Sequence, residues 1–258
     1  MRVPFLELKR ESKRYAQELQ EAICRVLDRG FYVLGPELEA FEKEFAEYIG
    51  APYAIGTASG TDALTLALEA TGAVTPGEGD EVLTSAVSAA YTALAIYRAG
   101  AIPRFVDLDP QTLQMNPELL EPAIGEKTRA IVPVHLYGYP CDMKKIQALA
   151  QRYRLAVVED ACQAHGSRLK GVSLGTFGQV GAFSFYPTKN LGALGDAGAV
   201  VTHDKEIYHR IRMLRHGGQD RTYHHELLGL NSRLDELQAA ILRFKLRILD
   251  AGNETRRN

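Results

Sequence analysis

Three short segments of the sequence carry residue types at spacings that could do chemistry. In Thr57-Ala58-Ser59-Gly60-Thr61-Asp62-Ala63-Leu64, a glycine-containing turn leads from an apolar run into a helical pattern that begins near Thr61. Backbone N–H groups at a helix N-terminus lack partners and carry the positive end of the helix dipole, so Gly60 and Thr61 could hold a phosphate. The same residues also read as a plain helix cap by Ser59 or Thr61. In Val157-Val158-Glu159-Asp160-Ala161-Cys162-Gln163, an apolar strand ends in two acids. A buried carboxylate there needs a cationic partner or several hydrogen bonds. A protonated pyridine nitrogen would serve Asp160, and so would a helix cap or a structural ion pair. In Phe183-Ser184-Phe185-Tyr186-Pro187-Thr188-Lys189-Asn190-Leu191-Gly192, Lys189 follows a strand and a proline, with Gly195 and Gly198 close behind. A lone lysine in such a place is usually a surface residue, but one held in a turn away from water supplies a Schiff-base amine. A phosphate cradle, a pyridinium partner and an amine, in this chain order, are the groups that pyridoxal phosphate (PLP) asks of a protein.

The elements that must position these groups are legible as periodicities. Short apolar runs at 53–55, 81–84, 102–106, 130–134, 155–158, 181–186 and 199–202 read as strands. Helical spacing fills 12–28, 36–48, 61–70, 88–99, 142–153 and 205–214. Such alternation predicts an α/β fold, a mostly parallel sheet with helices on both faces. Ligands in such sheets bind outside the carboxyl ends of the strands, which is where all three segments fall. A last amphipathic helix is predicted over 233–248, with Leu234, Leu237, Ile241, Phe244 and Ile248 in register. The expected division is an N-terminal helical segment (1–30), a large domain (31–232), and a helix (233–258) leading toward a C-terminal domain that the chain lacks.

Composition narrows the class. The 258 residues are 46% hydrophobic and 24% charged, with a net charge of -2, ordinary for a globular protein. No basic block suggests nucleic acid or an anionic membrane, and no apolar run is long enough to span a bilayer. Cys24, Cys141 and Cys162 lack CxxC spacing, which argues against a disulfide framework or a zinc site. The N-terminus shows no signal core, and the expected location is the cytoplasm. No residue is assigned as a metal ligand.

The sequence resembles the DegT/DnrJ/EryC/StrS sugar aminotransferases, which share the PLP-transferase fold of aspartate aminotransferase. The resemblance runs from about residue 5 to the C-terminus. It rests on Ser59-Gly60-Thr61-Asp62-Ala63-Leu64, on Glu159-Asp160-Ala161-Cys162-Gln163-Ala164-His165-Gly166, on the segment from Phe183 to Gly192, and on Leu230-Asn231-Ser232-Arg233-Leu234-Asp235-Glu236-Leu237-Gln238-Ala239-Ala240. It implies that Lys189 bonds the cofactor and that Asp160 pairs with its ring nitrogen. It also implies that Gln163 lies against the ring or its phenolic oxygen, and that Gly60, Thr61 and the Ser184 hydroxyl hold the phosphate. Asn231 would reach the phosphate of a partner subunit, giving a homodimer with shared sites. Many relatives carry an aromatic residue near Ala89 that stacks on the cofactor; here Ser88-Ala89-Ala90 is small, and Tyr91 is the nearest substitute.

What the resemblance implies about the reaction is transfer of an amino group from an amino acid, glutamate by family habit, to a nucleotide-linked keto-deoxysugar, at C3. Arg215, Arg221, Arg233 and Tyr223 are the expected contacts of the acceptor's diphosphate. Two alternatives stand beside this reading. One is another PLP reaction such as sugar dehydration, against which Lys189 argues, because dehydrating relatives carry histidine there. The other is a truncated, non-catalytic relative.

Overall fold

The structure, a computed structural model, describes Pro4 and residues 6–258. Two helices open the chain, α1 (Leu8–Arg14) and α2 (Ala16–Arg29), followed by α3 (Pro36–Ile49). Then come β1 (Tyr53–Thr57), α4 (Gly60–Thr71), β2 (Glu81–Ser85), α5 (Ala90–Arg98) and β3 (Ile102–Val106). A short helix α6 (Leu120–Ala123) precedes β4 (Thr128–Val132), α7 (Met143–Tyr153) and β5 (Ala156–Asp160). A small hairpin of β6 (Arg168–Leu169) and β7 (Val172–Ser173) leads to β8 (Val180–Ser184) and β9 (Gly198–Thr202). Helix α8 (Lys205–Leu214), the hairpin β10 (Gln219–Arg221) and β11 (His224–His225), and the long α9 (Glu236–Arg257) complete the order.

Seven strands form one sheet in the order β1-β9-β8-β5-β4-β2-β3. Pairing is parallel from β8 through β5, β4 and β2 to β3, while β9 runs antiparallel to both its neighbours. The predicted mostly parallel sheet with helices on both faces is thus observed, and all seven predicted strands lie in it. Its period of two sorts the core. Val82, Val132, Val158, Ala182 and Val200 pack under α4 and α8. Their neighbours Phe183 and Val201 face α3 and α9, with Phe41, Phe45 and Phe185. Leu83, Ile131 and Val157 meet Ile146 of α7.

Two helices depart from their predicted bounds. The first breaks at Tyr15 into α1 and α2, where the Tyr15 ring packs edge-on against Phe244 at 5.5 Å. The last runs beyond the periodic stretch that ended at 248, through Gly252 to Arg257 and so within the 233–258 segment expected to be helical, because Asn253 is buried against the loops beneath it. The β6–β7 and β10–β11 hairpins were not predicted, being too short for a periodic signal.

Helix α9 is the strut of this arrangement. Glu236 in its first turn is 1% exposed and accepts from the N–H groups of Gly35, Glu37 and Leu38 at 2.9–3.0 Å, so it caps α3 from a distant part of the chain. Arg243 then ties α9 to Glu37 and Glu44, and Ala240 packs on Ala22 and Val26 of α2. Glu236→Ala should destabilise the fold by about 3 kcal/mol, because buried donors lose their acceptor. Urea unfolding would measure it, and a change below roughly 0.5 kcal/mol, the range of neutral surface substitutions, would contradict this role.

Candidate active site

The site lies at the carboxyl edge of the sheet, where β5 and β8 end side by side. Alternation along β5 separates its two acids. Glu159 shares a face with Val157 and points to the 174–178 loop, where it is fully buried. It accepts from the N–H groups of Gly175, Phe177 and Gly178 at 2.6–2.8 Å and pairs with His135 Nε2 at 2.8 Å. His135 Nδ1 accepts the Cys141 N–H, so this acid is a structural staple. Asp160 shares the opposite face with Val158, beneath α5. It is 6% exposed; Oδ1 accepts the Cys162 N–H at 3.2 Å and Oδ2 accepts the Thr92 hydroxyl at 2.7 Å.

The cradle follows the same logic on β8. Phe183 and Phe185 face α3, which turns Ser184 toward the start of α4. Gly60 packs there so tightly that a Cβ on it would stand 2.5 Å from Ser184 Cβ. Ser59 caps α4 by accepting the Asp62 N–H, which leaves the first-turn N–H groups of Gly60 and Thr61 without intrahelical acceptors. Ser59 is thus the cap, and the two N–H groups that precede Asp62 have no acceptor within the helix. The Ser184 oxygen accepts the Tyr186 N–H, so its own proton is available to a ligand.

Lys189 sits in the turn after β8, its N–H donating to the Tyr186 carbonyl at 2.8 Å. The turn closes on Gly192, where a Cβ would lie 2.5 Å from the Pro187 carbonyl oxygen. Asn190 donates to Asn253 of α9, which in turn donates to the His165 carbonyl. Beneath the turn, the His165 ring lies between Phe183 and Phe185, and burial pushes its pKa down to about 3, helped by the Lys189 charge. It is a neutral packing residue. Gln163 accepts the Tyr137 N–H through Oε1 at 2.9 Å, which leaves its amide donors unspent.

Lys189, Asp160, Gln163, Ser184, Gly60 and Thr61 line one cavity of about 640 Å³. Ala89 and Tyr91 also line it, so the position near Ala89 is small and Tyr91 is the aromatic at hand. Sequence reasoning missed Thr92, which touches Asp160; its signal was a hydroxyl in the first turn of the helix after a parallel strand.

The other expected residues fall elsewhere. Asn231 is exposed and forms a β-bridge with His216. Tyr223, at a φ of 64°, and Arg221 are exposed on the β10–β11 hairpin, where Asp220, His224 and Glu226, all exposed, come within 4.8 Å of one another. Arg233 donates to His216 Nδ1 at 3.2 Å. The expectation for Arg215 is corrected: it is 4% exposed, donating to Glu42 and to the Gly56 carbonyl. A buried guanidinium spent on a partly buried carboxylate and a carbonyl is not open to a substrate anion.

The residues in the cavity fit PLP on structural grounds, with a glycine where a side chain would fill the cradle and a buried carboxylate that keeps lone pairs unspent. On this sheet they define a PLP-dependent transferase of the aspartate-aminotransferase architecture. The chain belongs to the DegT/DnrJ/EryC1/StrS aminotransferase family, whose model matches residues 13–258. It is 50% identical to a dTDP-3-amino-3,4,6-trideoxy-alpha-D-glucose transaminase of Streptomyces venezuelae, over 99% of this chain and 66% of that protein. Among solved structures, S. venezuelae DesV, in complex with a ketimine intermediate, superposes with a TM-score of 0.93 at 50% identity, covering 97% of this chain and 67% of that one. NtdA of Bacillus subtilis, with bound cofactor PMP, superposes at 0.89 and 37% identity, covering 96% and 56%. The chain thus spans about two thirds of the length of the curated relative.

Gly60→Ala tests the cradle. The added methyl must displace β8 or the start of α4, and PLP affinity should fall about 100-fold, equivalent to ~2.7 kcal/mol. A folded variant that binds PLP as the wild type does, by fluorescence titration, would remove the cradle from the site.

Proposed function

We propose that residues 31–232 form the cofactor-binding domain of an aminotransferase that moves an amino group from an amino acid, glutamate first among them, to C3 of a nucleotide-linked keto-deoxysugar in the cytoplasm. The observation that carries this reading is the meeting of Lys189, Asp160 and the Gly60–Ser184 cradle in one cavity. The name of the S. venezuelae relative, a dTDP-3-amino-sugar transaminase, supports the substrate class. Bound PLP supplies an electron sink that makes a C–H bond of the amino substrate acidic.

The chain's own groups have separable tasks. The first-turn N–H groups of Gly60 and Thr61, with the Ser184 hydroxyl, bind the phosphate and set the ring's position. Asp160, buried and already fixed by two hydrogen bonds, would hold the proton on the ring nitrogen by a charge-assisted contact. Gln163, with its amide donors unspent, would lie against the ring or its phenolic oxygen. Lys189 would hold the cofactor covalently, and its amine would move the substrate's proton as general acid-base.

A second copy of the chain would cover an apolar face now open to solvent. Tyr91, Leu94 and Tyr97 lie exposed along α5, beside Ile102 and Phe105 of the edge strand β3. Asn231 would serve the partner's phosphate from this assembly, and Arg221, Arg233 and Tyr223 would meet the acceptor's diphosphate.

Four measurements check these assignments. Protein loaded with PLP should turn yellow, and borohydride should fix the label on Lys189; a label mapped to any other lysine would refute the assignment. Asp160→Asn should fold yet slow conversion by glutamate at least tenfold, given the ~1.5–3 kcal/mol carried by a hydrogen bond to a charged group. Light scattering should report a dimer, and Asn231→Ala should weaken PLP retention, whereas a monomer with full PLP affinity contradicts shared sites. Return of the amino-loaded protein with a dTDP-keto-sugar, and not with pyruvate, is the expected acceptor preference; the reverse would keep the chemistry and overturn the substrate class.

A further inference from the structure

The mechanism above leaves two hydroxyl groups unused. Thr92, 3% exposed, places its Oγ1 2.7 Å from Asp160 Oδ2 and 2.5 Å from Ser88 Oγ. Both residues line the same cavity as Lys189. Ser88 lies in the β2–α5 connection and Thr92 in the first turn of α5, both far in sequence from Asp160 and brought to it by the parallel order β5-β4-β2.

The direction of the protons follows from valence. A carboxylate only accepts, so the single Thr92 hydroxyl proton goes to Asp160. The Thr92 oxygen then accepts from Ser88, whose other available acceptor is the Ala89 carbonyl at 3.0 Å. Every donor in the row points toward Asp160, and hydrogen bonds aligned in this way polarise one another in a low-dielectric site. Of roughly four lone-pair positions on a carboxylate, the Cys162 N–H and the Thr92 hydroxyl take two. The other positions stay open for a ring nitrogen. Helix capping does not account for the pair, because the start of α5 makes no side-chain cap hydrogen bond.

We propose that Thr92 and Ser88 are positioning residues that orient the Asp160 carboxylate and thereby set how firmly the cofactor's ring nitrogen keeps its proton. Donation by Thr92 withdraws charge from Asp160 and lowers its appetite for the shared proton, which therefore resides on the ring nitrogen. Without the hydroxyl, the carboxylate turns more basic and rotates more freely, and the proton moves toward oxygen. This inference rests on the reading of Asp160 as the partner of PLP.

The test uses full-length protein loaded with PLP labelled with nitrogen-15 in the ring. Thr92→Val keeps the side-chain shape and removes the hydroxyl. Its ring-nitrogen NMR signal should move from the protonated toward the neutral pyridine position, and conversion by glutamate should slow about tenfold, the scale of one hydrogen bond to a charged group. Thr92→Ser should restore the wild-type signal, and Ser88→Ala should give an intermediate shift. Should Thr92→Val fail to fold, Ser88→Ala carries the test alone. A variant that is less heat-stable yet keeps the wild-type nitrogen signal would mean a structural role only and would overturn the proposal. Wild-type protein that takes up no PLP would overturn the reading of Asp160 instead, so the two failures are distinguishable.

Discussion

The alternation of side chains at the end of β5 is the constraint on which the site depends. Glu159 and Asp160 are adjacent in sequence and chemically alike, yet a strand turns them to opposite faces. Glu159 meets three loop N–H groups and a histidine, which consume its charge in holding the 174–178 loop. Asp160 meets one N–H and one hydroxyl and opens into the cavity. A register slip of one residue would exchange the two acids and leave the cavity with the wrong carboxylate. The parallel pairing of β5 with β4 and β8 therefore specifies chemistry as well as shape.

The neighbouring strand repeats the device. At the end of β8, Phe183 and the following Phe185, both directed to α3, oblige Ser184 to face α4, and only a glycine at 60 lets the helix start come down on it. Close packing and the exposed helix dipole are then one feature, because the missing side chain is what bares the N–H groups. Helix α9 completes the support from the far side. It caps α3 through Glu236, accepts the Leu194 N–H through Gln238, and holds Asn190 and the His165 carbonyl through Asn253. Asn190 and Leu194, which follow Lys189 in its turn, are thus anchored to a rigid rod rather than to a loop.

The arginines show how charge is spent when it is buried. Arg215 follows α8 into the interior and is consumed by Glu42 and the Gly56 carbonyl, where a charge without a partner would be costly. Arg221 lies on an exposed hairpin, and Arg233 is half-buried and donates to a histidine nitrogen. Proximity in sequence placed all three in one segment, but only burial separates the structural cation from those still open to a ligand.

Much of this protein was written locally and could be read locally. Apolar runs and helical spacing located every strand of the sheet, and Lys189, Asp160, Gln163, Ser184, Gly60 and Thr61 stood out because each sits next to a turn or strand end whose backbone geometry is short-range. Elements held by distant contacts were less legible. The break at Tyr15 comes from a ring packing on Phe244, and α9 runs past Gly252 because Asn253 finds buried partners. Thr92 looked like any hydroxyl in a helix, and Arg215 like any basic residue near a substrate segment. The sequence by itself determined the periodicities and the local turns, since these depend on neighbours a few residues apart. Tertiary structure alone decided which acid is a staple and which arginine is spent, because those outcomes depend on partners brought together across the sheet.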